Sequence, residues 1–141
     1  CEESGGFGLA GHIPERDGIL VALIILEMMT QRQKPLSVLV EELDVDFGGY
    51  FYERIDLKAP ASQLKRALAR LGENPPERID GREVKSVTGT DGQKFRFREG
   101  GWLLIRKSGS KPLLRLYAET ESADSVRSLL KSARDILSIG K

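Results

Sequence analysis

The longest apolar run in the chain spans residues 19–26 and continues through Met28 and Met29, with no polar side chain before Glu27. A run this short fits a buried strand as well as a helix, but its extension to Gln33 favours a helix. The absence of a polar face predicts that this helix is buried nearly all round. Asp17 stands where an N-cap belongs. Pro35 then opens a second helix, with Leu36, Leu39, Val40 and Leu43 at helical spacing. The pattern is expected to break from Asp44 to Gly49, which places a hinge at residues 45–49. Aromatic and β-branched residues over 50–57 predict a strand. Pro60 opens a further helix with Leu64, Ala67, Leu68 and Leu71 inward and Gly72 as its C-cap. Asn74-Pro75-Pro76 reads as a turn.

Four short strands are expected next, at 84–87, 94–98, 102–106 and 113–118. The first two face each other across Thr90-Asp91-Gly92-Gln93, and Asp-Gly is a strong hairpin signal. Strict alternation in Lys94-Phe95-Arg96-Phe97-Arg98 puts both phenylalanines on one side. A last helix carries Val126, Leu129, Leu130, Ala133, Ile136 and Leu137 as one stripe. The second half reads as β-α-β-β-β-α, an α+β layer with helices on one face of an antiparallel sheet. The expected organisation is a helical segment over 1–44, the hinge, and a domain over 50–141.

Composition narrows the functional classes. The 141 residues include 22 basic and 21 acidic side chains, a formal charge of +1. Charged residues at 30% and apolar residues at 40% fit a soluble globular protein, with no global attraction to nucleic acid or an acidic membrane. One cysteine makes no internal disulfide, and one cysteine with one histidine makes no zinc site. The apolar run is far short of the ~18 residues of a spanning helix. No signal peptide is visible, and a cytoplasmic location is expected. The chain opens at Cys1 inside a glycine-rich loop without a methionine, which predicts a piece of a longer protein. The apolar helix would then lack its neighbours, and self-association or a domain swap is expected.

Several groupings carry candidate chemistry. Arg106-Lys107-Ser108-Gly109-Ser110-Lys111-Pro112, with Arg115 just beyond, joins two expected strands. Hydroxyl donors, a glycine amide and several cations are the ingredients of a phosphate nest, and equally of a solvated turn. Glu2-Glu3-Ser4-Gly5-Gly6 suits recognition of vicinal hydroxyls, a hard cation, or nothing more than a polar terminus. The G-x-G-x-x-G spacing at 6–11 has no preceding strand, and Pro14 separates it from the helix, so dinucleotide binding is disfavoured. Ser4, His12 and Asp17 lack the context of a nucleophile elbow. Strand 94–98 with Trp102 offers a basic aromatic face for nucleic acid, yet its alternation sets the phenylalanines opposite the cations.

Taken together, Glu2-Glu3-Ser4-Gly5-Gly6, His12-Ile13-Pro14-Glu15-Arg16-Asp17-Gly18, Arg106-x-Ser108-Gly109-Ser110-x-Pro112 and Leu116-Tyr117-Ala118-Glu119 resemble the α-D-phosphohexomutases, the phosphoglucomutase and phosphomannomutase family. The resemblance spans essentially the whole chain. It implies a four-domain enzyme with one loop from each domain lining the cleft. This chain would supply the helical end of the α/β third domain and all of a fourth domain with a fold like the TATA-box-binding protein. Glu2 and Ser4 inherit contacts to the sugar hydroxyls. Arg106, Ser108, Gly109 and Ser110 inherit the grip on the phosphate that is not being transferred, with Arg115 close by.

The implied reaction interconverts hexose 1-phosphate and hexose 6-phosphate through a phosphoserine and a bisphosphate. A magnesium ion and a glucose 1,6-bisphosphate-type activator serve the intact enzyme. No catalytic or metal-binding residue is assigned to this chain. It contains no D-x-D-x-D; Asp44-Val45-Asp46 is nearest. The chain alone is therefore expected to be inactive. Its implied partners are hexose phosphates, of glucose or mannose rather than an amino sugar, and domains one and two of the parent, with neither nucleic acid nor membrane. Two positions depart from the family pattern: Cys1 replaces a glycine, and Ser110-Lys111 replaces Thr-Glu. The rival reading is a non-enzymatic module that holds a protein or nucleic acid on an exposed face around Phe95, Phe97 and Trp102.

Overall fold

Asp17 starts the first helix by accepting hydrogen bonds from the backbone N–H groups of Ile19 (3.1 Å) and Leu20 (2.9 Å). The computed structural model describes residues 5–90, 92–109 and 111–138. The chain divides into two compact units, Cys1–Gly48 and Gly49–Lys141.

The first unit holds α1 (Gly18–Arg32) and α2 (Leu36–Phe47). Against expectation, no residue of α1 is buried, and Ile19 is 79% exposed. A helix apolar on all sides needs neighbours on all sides. Within the described part of this unit, α2 is the only other helix or strand. The expected break at Asp44 also falls too early. Nothing from Asp44 to Phe47 forbids helical dihedrals, so α2 runs on until Gly48 takes φ 86°.

The second unit holds β1 (Phe51–Lys58), α3 (Ala61–Glu73), β2 (Arg78–Ile79), β3 (Arg82–Thr88), β4 (Gln93–Phe97), β5 (Trp102–Lys107), β6 (Leu113–Thr120) and α4 (Ala123–Leu137). The α+β arrangement is as read, with one fully antiparallel sheet in the order β1-β6-β5-β4-β3-β2. Five strands, one more than the four expected, separate the two helices. The unforeseen β2 is two residues long and turns into β3 through Asp80-Gly81. Their φ values, 54° and 75°, supply the paired positive dihedrals of a type I′ hairpin. Gly72 is not the end of α3. It lies in the last turn, and Asn74 caps the helix by donating its N–H to the carbonyl of Arg70.

One face of the sheet carries the core. Phe95, Phe97, Leu103, Ile105, Leu114, Leu116 and Ala118 pack against Leu64, Ala67 and Leu71 of α3 and the Val126–Leu137 stripe of α4. A fully buried large apolar side chain contributes about 1.5–3 kcal/mol. A one-residue slip would turn every strand's set to the other side, so the core also fixes the register. Polar ties lock the edges. Asp80 Oδ1 accepts from the hydroxyls of Ser128 (2.8 Å) and Ser132 (2.9 Å), and Arg82 bonds Glu121 (2.6 Å) and the Ser125 hydroxyl. Arg70 caps the other end of α4 by donating to the Ile136 and Leu137 carbonyls.

Candidate functional site

Because β5 and β6 bury Leu103, Ile105, Leu114 and Leu116, their alternate residues must face the other way. The register sets Trp102 against Glu119, Leu104 against Tyr117 and Arg106 against Arg115. On its other side Arg115 is paired with Asp56 of β1. Asp56 itself lies 3.4 Å from Arg54. Arg106 and Arg115 thus stand directly opposite each other at the end of two strands. Like charges in that relation are unfavourable without an anion between them.

The connecting loop follows from the same two strands. The Ser108 N–H continues the ladder by donating to the Leu113 carbonyl (3.0 Å), and the Leu113 N–H closes back on the Lys111 carbonyl (2.9 Å). Ser108 is consequently drawn in, with only 3% of its surface exposed, while Gly109 and Lys111 remain outside. Gly92 of the neighbouring β3–β4 turn makes room for this end of β5. At φ 101° a Cβ there would lie 2.6 Å from the Cβ of Arg106.

Two buried polar atoms here have no hydrogen-bond partner among the described residues: Ser108 Oγ and Arg115 Nε. Leaving such groups unmet costs about 1–3 kcal/mol each. The Arg106 side chain donates from Nε to the Tyr117 hydroxyl (3.2 Å), and its guanidinium carbon sits 5.4 Å from the Tyr117 ring centre. A flanking cation, a buried hydroxyl and an exposed glycine amide form a concentrated set of donors. Such a set recognises a tetrahedral oxyanion.

Of the residues expected to touch ligand, Arg106, Ser108, Gly109 and Arg115 come together at this loop. Glu2, Ser4 and Ser110 lie outside the described residues, as does Cys1. Tyr117 belongs to the Leu116-Tyr117-Ala118-Glu119 motif, which by itself assigns it no role. Its place two residues beyond Arg115, on the same side of β6, was the available signal.

The face required by the binding-module reading does not exist as imagined. Phe95 and Phe97 are 0% and 3% exposed, beneath the helices, whereas Trp102 is on the opposite side. There Lys94 Nζ stands 4.1 Å over the Trp102 ring, and Trp102 Nε1 donates to Glu119 (2.8 Å). His12 Nε2 is 3.0 Å from Asp17 Oδ2 and so steadies the N-cap of α1. The Leu20 N–H, and then His12, hold the Asp17 carboxyl below the usual aspartate range. Asp44 and Asp46 sit within α2, two residues apart and hence not on one face. Among the described residues no group of three or more His, Cys, Asp or Glu converges to hold a metal, and no helix is long and apolar enough to cross a membrane.

Fold and loop together define an α+β domain with cations and hydrogen-bond donors gathered at the β5–β6 loop. Residues 56–136 match the family model of the phosphoglucomutase/phosphomannomutase C-terminal domain, and residues 1–45 match that family's alpha/beta/alpha domain III. The chain belongs to the phosphoglucomutase/phosphomannomutase family. A phosphoglucomutase/phosphomannomutase of Thermococcus kodakarensis is 28% identical over 130 residues, covering 92% of this chain and 26% of the relative. A phosphoglucosamine mutase of Methanococcus maripaludis is 30% identical over 124 residues, covering 88% and 26%. The chain therefore spans about a quarter of the length of these curated relatives. The open form of the exocytosis-sensitive phosphoprotein pp63/parafusin, a phosphoglucomutase from Paramecium, shares the fold at a TM-score of 0.72 and 20% identity, over 96% of this chain and 29% of that one.

Proposed function

We propose that this chain supplies the phosphate clamp and the sugar-hydroxyl loop of a phosphohexomutase. The longer protein interconverts hexose 1-phosphate and hexose 6-phosphate, of glucose or mannose, through a phosphoserine and a bisphosphate. In this reading Arg106, Ser108, Gly109, Ser110 and Arg115 hold the phosphate that is not transferred, and Glu2 and Ser4 contact the sugar. The single observation that carries the clamp is the pair of buried donors without a partner among the described residues, Ser108 Oγ and Arg115 Nε, where Arg115 stands in direct register with Arg106. A phosphate oxygen set meets those donors and neutralises the arginine pair together.

Positioning of this kind lowers a phosphoryl-transfer barrier by fixing one end of the substrate while the other reacts. The nucleophilic phosphoserine and the magnesium ion belong to domains one and two, which are this chain's partners in the cytoplasmic enzyme, with a hexose bisphosphate as activator. The rest of the third domain covers the exposed apolar sides of α1. Without it, those sides drive self-association. Isothermal titration of the chain with glucose 6-phosphate tests the clamp. Arg106→Ala is expected to weaken binding at least about tenfold, the loss given by removing a charged hydrogen-bond donor. Equal binding by the variant and the unaltered chain would refute the assignment.

A further inference from the structure

We infer that Tyr117 is a positioning residue for the phosphate clamp: its hydroxyl and ring fix the plane in which Arg106 presents its guanidinium. This rests on the clamp reading and adds a residue to which nothing so far has given a role. Three observations carry it. The Arg106 Nε–H donates to the Tyr117 hydroxyl at 3.2 Å. The guanidinium carbon also lies 5.4 Å from the ring centre, within the range of a cation–π attraction. Tyr117 is itself held fast, 4% exposed, with the Tyr52 ring 6.4 Å away and register partners on both sides in Leu104 and Arg54.

The geometry explains why such a support is needed. Arg106 directly faces Arg115, and mutual repulsion favours splaying of both side chains. Tyr117 lies diagonally from Arg106, a distance that a long side chain spans. Holding Nε–H fixes the orientation of the planar fork, and a phosphate needs that orientation because an arginine grips two of its oxygens in one plane. A buried tyrosine hydroxyl wants a partner in any protein, and Arg106 satisfies it here. The same contact therefore serves both the fold and the presentation of the cation.

Inorganic phosphate and glucose 6-phosphate are titrated into the chain and into Tyr117→Phe, Arg106→Ala, Arg106→Lys and the Tyr117→Phe/Arg106→Lys double variant, following the Gly109 amide by NMR. Phenylalanine keeps the ring and removes only the hydroxyl. Tyr117→Phe is expected to weaken binding about 3- to 10-fold, the usual range for one hydrogen bond. The same change is expected to have no further effect beside Arg106→Lys, which has no Nε–H. Unaltered affinity in Tyr117→Phe while Arg106→Ala loses binding would overturn the inference and leave the clamp standing. Equal weakening in both backgrounds would overturn it too, since a purely structural role does not depend on Arg106. If Arg106→Ala binds normally, the clamp itself fails and takes this inference with it. A direct readout needs no variant. The Arg106 Nε–Hε resonance of the ligand-free chain is expected to exchange slowly with water, and fast exchange would contradict the hydrogen bond.

Discussion

Ser108 is the residue where function and stability pull apart. A buried hydroxyl without a partner among the described residues costs the fold, and in the proposed clamp a bound oxyanion offsets that cost. Ser108→Ala is therefore expected to leave thermal stability unchanged or raise it by up to about 1 kcal/mol, while phosphate affinity falls. A serine kept for structure would lose stability on the same change, so paired melting curves and titrations separate the two roles. The grouping of Arg106, Ser108, Gly109 and Arg115 was legible in the sequence because a short loop rich in hydroxyls, glycine and cations joins two expected strands, while the role proposed for it came with the family resemblance. The role of Tyr117 was not legible. It depends on Leu104, rather than Arg106, being its direct partner across the strands, and that register is set by the core. The phenylalanines were misjudged only by the rival reading; their alternation with Lys94 and Arg96 already placed them inward.

Among the elements, α3 and α4 were clear from their single apolar stripes, whose buried members are those the spacing selects. The β2 strand was missed because two residues carry no periodicity, although Asp80-Gly81 repeats the hairpin signal recognised at Asp91-Gly92. That hairpin is fastened to α4 by Arg82 and Asp80, and the tie has a pH signature. The Arg82 hydrogen bond, and then its own backbone N–H, hold the Glu121 carboxyl below the 4.5 of an ordinary glutamate. A depressed folded-state pKa adds stability at neutral pH, and that contribution disappears as pH falls through the folded value. Replacing Arg82 with methionine is expected to lower stability at pH 7 more than at about pH 3, by no more than about 1 kcal/mol for so exposed a carboxylate. Urea melts at the two pH values check this; an equal loss at both would assign the effect of Arg82 to packing alone.

For the whole molecule, the two units differ in how far they account for their own sequences. The 49–141 unit buries its apolar stripes in one core, whereas α1 and α2 leave Ile19, Leu23, Leu26, Leu43 and Phe47 largely exposed. The sequence could specify that α1 is apolar all round but not what surrounds it, since burial belongs to the partners of a helix as much as to its own residues. The clamp lies wholly within the 49–141 unit, and its proposed action requires only that unit's strands. The most direct test is therefore an amide NMR titration of the chain with glucose 6-phosphate. Saturable shifts centred on Ser108, Gly109 and Arg115 are predicted. A folded chain whose amides at those positions stay unmoved, while others shift or none do, would contradict the account.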